Sequence, residues 1–207
     1  MSRAEPAPVV PNHHADYPGF SGIGGLVAGL AMILGRGAVA RLAADLAAVS
    51  DADRVVDVGC GPGAAAREAA RRGAEVVGID PAPVMLRLAR RLTRRGLAIT
   101  WTEGVAETLP LSDASATVAW SIATVHHWRD LDAGLAEVRR VLAPRGRWLA
   151  IERRTKAGAK GLASHGWTDA QGEAFVERCR AAGFTDARVA VHRPGGRDLV
   201  VAQATRA

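Results

Sequence analysis

Val55-Val56-Asp57-Val58-Gly59-Cys60-Gly61-Pro62-Gly63 is the stretch that decides how this 207-residue chain is read. A short apolar run, Arg54 to Val58, enters a turn containing three glycines, and an alanine-rich helical stretch leaves it. Glycine permits the tight turn and lets a ligand come close to the backbone. In an open parallel sheet the binding crevice lies at the carboxyl ends of the strands, beside such a turn. The spacing is G-x-G-x-G, not the G-x-G-x-x-G of dinucleotide sites. The following strand, Glu75 to Ile79, runs into Asp80, seventeen residues after Gly63. A carboxylate there can accept both hydrogen bonds of a ribose diol. Asp57, just before the turn, can meet a cationic amino group. A turn that offers carboxylates and no lysine suits a ligand with an amino acid moiety better than a polyphosphate. The plainer alternative is a glycine turn that only connects a strand to a helix.

Outward from this turn, strands and helices alternate. Helices are expected at Ala38 to Val49, Ala64 to Arg72, Pro83 to Arg95, Leu131 to Leu142 and Asp169 to Ala182, several closed by a following glycine. Further strands are expected at Ala98 to Glu103, Ala116 to Ile122, Arg147 to Glu152, Ala187 to His192 and Asp198 to Gln203. Alternation of this kind implies parallel βαβ units. The short Pro194-Gly195-Gly196 turn makes the last two strands antiparallel. The expected fold is therefore α/β: a Rossmann-like seven-stranded sheet, mostly parallel with an antiparallel last strand, and helices on both faces. Residues 1 to 16, with Pro6, Pro8 and Pro11, are expected to be a loose terminus. They lack the charged and apolar regions of a signal peptide.

Hydrophobic residues make up 48% and charged residues 23%, so a packed core is expected and a disordered chain is not. Two cysteines cannot make a disulfide framework, which favours a cytoplasmic setting. The net charge of +6 raises nucleic acid as a partner, but Arg87, Arg90, Arg91, Arg94 and Arg95 fall on one face of a helix. Met85, Leu88, Ala89 and Leu92 fall on the other, toward the sheet. The charge is thus expected to be mainly a solvated surface. Tyr17 to Gly35 is uncharged for nineteen residues, yet Ile23, Leu26, Val27, Leu30, Ile33 and Leu34 form a helical stripe among glycines. A docked helix is expected, not a membrane span.

VVDVGCGPG, then VVGID, then EGVAETLPLSDASATVAWS, then HHWRDLDAGLAEVRRVLAPRGRWLAIE, resembles the class I S-adenosylmethionine-dependent methyltransferases. The likeness is nearest to the small-molecule type that includes ubiquinone and menaquinone methyltransferases, and covers about residues 50 to 153 closely. It implies S-adenosylmethionine as cofactor, held by residues 51–207; residues 1–50 are expected to be an N-terminal tail and lid helices, because their apolar, glycine-rich stripe has no partner inside the sheet. Asp57, Gly59 and Gly61 would line the cofactor's methionine part and Asp80 its ribose. Pro81 with Ala82 would lie against the adenine, and the backbone of Val105 and Ala106 would meet the adenine edge. Trp120 and Ser121 would sit below the sulfonium. Where the family often has an acidic residue this chain has Val105, and Glu107 is the substitute. Cys60 belongs to the same cofactor lining and is read as a small structural residue, not a nucleophile. Arg145 stands where a glycine is usual, far from the expected site.

Methyl transfer from a sulfonium needs alignment above all, and a base only where the acceptor must lose a proton. His126 and His127, after the fourth strand, are the candidate bases, and His126 also a substrate contact. The alternative is that one packs and the other is solvated. Tyr17 and Phe20 are the candidate substrate contacts from the lid. His13–His14 and His126–His127 are adjacent pairs, but no Cys or carboxylate spacing completes a metal site, so none is expected. The expected function is methyl transfer to a small-molecule acceptor. A protein that binds S-adenosylmethionine or S-adenosylhomocysteine without transfer is an alternative. A nucleic-acid methyltransferase is another, but Ser-Ile-Ala-Thr stands where enzymes acting on base nitrogens carry Asn/Asp-Pro-Pro-aromatic. A nicotinamide oxidoreductase is disfavoured by the glycine spacing and by the lack of a Tyr-x-x-x-Lys pair. Oligomeric state is not written in these residues.

Overall fold

The computed structural model describes residues 9–15 and 37–207, and all structural statements concern these. Tyr17, Phe20 and the apolar stripe from Ile23 to Leu34 lie outside them. Seven strands form one sheet: β1 (Arg54–Val58), β2 (Glu75–Asp80), β3 (Ile99–Glu103), β4 (Ala116–Ile122), β5 (Leu142–Arg153), β6 (Phe184–His192) and β7 (Leu199–Arg206). Their order is β3-β2-β1-β4-β5-β7-β6. All neighbouring pairs up to β5 are parallel, and β7 runs antiparallel to both β5 and β6. The expected sheet is thus the one observed. Strand order reverses between β1 and β4, where Asp57 is in register with Trp120 on one side and Gly78 on the other. A crevice at the carboxyl ends of β1 and β4 follows from that reversal.

The helices are α1 (Gly37–Leu46), α2 (Ala64–Arg71), α3 (Pro83–Leu92), α4 (Leu131–Val141) and α5 (Asp169–Ala181). One apolar cluster joins α1 and α2 to the sheet through Val39, Ala43, Ala66, Ala69, Val118 and Trp120. Its alanines let helix backbones approach closely, which offsets the shortage of large side chains. The other cluster holds α4 and α5 through Leu135, Val138, Trp148, Trp167 and Phe175. Asp130 caps α4 by accepting from the Asp132 and Ala133 N–H groups at 3.0 Å each. Thr168 and Gln171 form a capping box on α5.

Several expected boundaries move, two of them for a clear local reason. The helix after Asp80 stops at Leu92, because Thr93 turns extended and its hydroxyl bonds the Ala89 carbonyl at 2.7 Å. Leu92 is consequently 37% exposed instead of facing the sheet. β5 begins at Leu142, and the Pro144-Arg145-Gly146 segment makes an irregularity in its pairing with β4. Arg145 sits there at φ 64°, the left-handed conformation that a glycine takes without strain. Residues 9–15, read as part of a loose terminus, form a turn pinned to the body. Trp167 Nε1 donates to the Pro11 carbonyl at 2.9 Å, Asn12 to the Trp128 carbonyl at 3.0 Å, and Gln171 to the Val10 carbonyl at 3.0 Å.

At the amino ends of the strands, buried Asp53 gathers Ser50, Thr117 and Arg147. Burial opposes its charge, but the Thr117 hydroxyl, the Ser50 N–H and the Arg147 charge together hold its carboxyl below the usual carboxylate range. A depressed carboxyl stabilises the fold above its unfolded pKa, and that contribution fades as pH falls through the folded value. Asp53→Asn is expected to cost about 2–4 kcal/mol at pH 7 in urea unfolding, with the difference from the parent closing as the pH falls below the usual carboxylate range. Arg145→Gly is expected to raise the urea midpoint, the unfolding free energy growing by about 0.5–1 kcal/mol, since relieved left-handed strain exceeds the added chain entropy. A lowered midpoint would mean that the Arg145 side chain contributes more than its strain costs.

Candidate functional site

The turn after β1 is built by β2. Gly59 and Cys60 both donate their N–H to the Ile79 carbonyl, at 2.8 and 2.9 Å, and Gly61 donates to Asp80 Oδ2 at 2.8 Å. Gly59 has φ 73°, and a Cβ there would lie 2.6 Å from the Thr124 side chain. Gly63 has φ 75°, and a Cβ there would lie 2.2 Å from the Trp101 ring. Both positions therefore demand glycine for conformation and for space. At Gly61 a Cβ would meet nothing within 4 Å, so the backbone faces open room on that side. A shallow cleft, open to solvent, runs alongside, lined by Val39, Ala40, Asp57, Gly59, Pro62 and Ile122.

Asp80 is 7% exposed and accepts from Gly61 on one oxygen and from Ala82, at 2.9 Å, on the other. Burial raises its pKa, and those two N–H bonds counter it. Each oxygen retains a second lone pair for a diol. Asp57 Oδ2 accepts from the Ala66 N–H at 3.1 Å, which places this carboxylate at the N-terminus of α2. Arg67, which sequence reasoning passed over, is 9% exposed and donates to the Pro62 carbonyl at 2.5 Å. Burial pushes the Cys60 thiol well above its ordinary range, with Asp57 and Asp80 adding to the effect. The thiol form of Cys60 fits a packing role.

Beyond β4 the expected residues separate. Trp120 is fully buried in the cluster beneath α1 and α2. Ser121, on the other face, hydrogen-bonds Thr124, whose hydroxyl donates to the Val58 carbonyl at 3.2 Å. Thr124 thereby locks the loop after β4 against the glycine turn, a contact that no sequence spacing announces. Ala123 precedes it at φ 59°, a strained conformation at the mouth of the crevice. Pro81 is exposed and Ala106 buried, while Val105 is 44% exposed. Glu107 Oε1 accepts from the Arg129 and Asp130 N–H groups at 2.7 and 3.2 Å.

The fold collects histidines that lie far apart in sequence. The His14 N–H donates to the His126 carbonyl at 2.8 Å, seating the 9–15 turn against the loop after β4. His165, on the segment between β5 and α5, lies with its ring 4.4 Å from that of His14 and 5.3 Å from that of His127. His126 is 2% exposed, and its Nδ1 is 2.8 Å from Oε2 of fully buried Glu152, near the end of β5. Burial first, and then the neighbouring imidazoles, lower the His14 and His127 rings to about 4, so both are neutral at pH 7. His165 is lowered for the same reasons. Of this group only His126 and His127 were singled out as catalytic from sequence. Glu152, His14 and His165 were not, because only the fold brings β5 and the 9–15 turn to the same place.

A family model described as a methyltransferase domain matches residues 56–150. Demethylmenaquinone methyltransferase of Tropheryma whipplei is 37% identical over 114 residues, covering 54% of this chain and 46% of that protein. The chain spans about half the length of the curated relatives it matches. Among solved structures, a SAM-dependent methyltransferase from Aquifex aeolicus superposes with a TM-score of 0.73 at 18% identity, covering 88% of this chain and 98% of that one. The [4+2]-cyclase SpnF superposes with a TM-score of 0.69 at 20% identity, covering 82% and 80%. The same fold therefore serves more than one reaction, and the site has to carry the functional argument. Among the described residues no helix is long and apolar enough to cross a membrane. The glycine turn, the strand order with its reversed last strand, and the matched domain together make this chain similar to the class I S-adenosylmethionine-dependent methyltransferases.

Proposed function

We propose that this chain transfers a methyl group from S-adenosylmethionine to a small-molecule acceptor in the cytoplasm. The observation that carries this reading is the pairing of an open glycine backbone at Gly61 with the Asp80 carboxylate, at the point where strand order reverses. The residues fit such a cofactor. Gly59 and Gly61 offer backbone to its amino acid part, and Asp80 has lone pairs for its ribose. Pro81, Ala82 and the backbone of Val105 and Ala106 are assigned to its adenine, and buried Ser121 to the floor of the reacting end. Asp57 acts from behind, through the Ala66 N–H and the start of α2. The cofactor brings a methyl group that is already activated on a sulfonium. The protein's part is to align the acceptor in line with it and to exclude water. Where the acceptor must lose a proton, the histidines after β4 are the groups in place, with His126 oriented by Glu152.

A small-molecule acceptor is favoured over nucleic acid by the named relatives and by the use made of the arginines. Arg54, Arg72, Arg140, Arg147, Arg154 and Arg193 bond backbone carbonyls or carboxylates of this chain. They are thereby committed to holding the fold together. The N-terminal lid, with Tyr17 and Phe20, belongs to the same proposal.

Calorimetric titration with S-adenosylmethionine, S-adenosylhomocysteine and NAD tests the cofactor assignment. Micromolar binding of the first two is expected, weakened about 10- to 100-fold in Asp80→Ala. Tight NAD binding with no response to S-adenosylhomocysteine would overturn it. Removal of residues 1–36 tests the lid: S-adenosylhomocysteine binding should survive and transfer should be lost. Full transfer in the truncated protein would refute the lid role.

A further inference from the structure

We propose that His14, His126 and His165 bind one divalent transition-metal ion, with zinc the best chemical match, and that Glu152 is the carboxylate that orients His126 for it. One ligand atom from each of the three rings lies within 4.8 Å of the other two. The three come from separate segments: the 9–15 turn, the loop after β4, and the segment between β5 and α5. No spacing along the chain reveals them, which is why the sequence alone gave no metal site.

His126 carries the argument. Its Nδ1 faces the Glu152 carboxylate at 2.8 Å, and both side chains are almost wholly buried. The carboxylate accepts, so the hydrogen sits on Nδ1 and a lone pair is left on Nε2. Nε2 is buried with no hydrogen-bond partner among the described residues, as is Glu152 Oε1. A buried lone pair and a buried carboxylate oxygen without a hydrogen-bond partner are both costly. A cation on Nε2 takes the lone pair and offsets the carboxylate charge behind the ring. Histidine ligands of metals characteristically have their other ring N–H held by a carboxylate in this way.

The geometry needs little adjustment. Zinc–nitrogen bonds of about 2.0–2.1 Å set tetrahedral ligand atoms about 3.3 Å apart, so side-chain rotation has about 1.5 Å at most to close. The segments are already joined: the His14 N–H is bonded to the His126 carbonyl, and Ser164 Oγ lies 3.1 Å from His14 Nε2. Three protein ligands leave a fourth position for an oxygen atom, as in metal sites that act on a substrate. With the ion bound, His126 is a ligand and His127 is the imidazole left for proton transfer. The site stands whether or not the chain transfers methyl groups.

The test uses the untagged full chain, stripped with chelator and titrated with Co²⁺ followed by absorption. Zn²⁺ is then measured by competition against a chromophoric chelator. One equivalent of Co²⁺ should bind with the visible bands of a four-coordinate ion, and one equivalent of Zn²⁺ should displace it. His14→Ala and His165→Ala should each weaken binding at least tenfold while keeping the parent circular dichroism. His192→Ala, at a histidine outside the cluster, should bind as the parent does. Glu152→Gln should keep the stoichiometry and lose about 10- to 100-fold in affinity. Absence of saturable binding would overturn the proposal. So would equal binding by the parent, His14→Ala and His165→Ala, which would leave the cluster a set of packed imidazoles.

Discussion

The carboxylate of Asp80 bonds the Gly61 N–H with one oxygen and the Ala82 N–H with the other. This single group joins the end of β2 to the turn after β1 and to the start of α3. With the Ile79 carbonyl, which takes the Gly59 and Cys60 N–H groups, it sets the path of the whole turn. The turn in turn fixes where Thr124 can pack, and Thr124 seats the loop that carries His126 and His127. The chain of dependence therefore runs from one buried carboxylate to both halves of the crevice. Burying it is costly, and the two backbone bonds are what make it tolerable.

Arginine has an unexpected share in the architecture. The basic excess first reads as a surface property, and Arg87, Arg91, Arg94 and Arg95 are indeed exposed. Many of the others are fasteners. Arg140 bonds Glu137, Asp113 and the Leu109 and Leu111 carbonyls, and Arg206 reaches the Leu142 carbonyl. A planar fork of donors suits such multiple attachments better than a lysine ammonium does. In a chain with few aromatics and an alanine-rich core, these bonds secure loops that apolar contact alone would hold weakly.

Much of the fold was legible because its signals are local. Alternating apolar runs, glycine stops and the Pro-Gly-Gly turn set seven strands and their order of appearance, and the G-x-G-x-G turn followed by Asp80 pointed to the crevice. Boundaries shifted where side chains intervene, as Thr93 does at the end of α3. The site was legible only on the side built from one continuous stretch. Thr124 against Gly59 and Glu152 behind His126 are contacts between segments far apart in the chain, and residue spacing does not encode them. Glu107 makes another such contact, with the backbone of Arg129 and Asp130. The 9–15 turn, with three prolines nearby, offered no periodic signal, yet tryptophan, asparagine and glutamine side chains bond it to the body.

The central claim is that the crevice between β1 and β4 holds S-adenosylmethionine through the glycine turn and Asp80. A crystal structure of this chain with S-adenosylhomocysteine tests it most directly. The account predicts the ligand's amino acid part along Gly59 to Gly61 and both ribose hydroxyls on the Asp80 carboxylate. A ligand bound elsewhere, or one whose ribose makes no contact with Asp80, would contradict it.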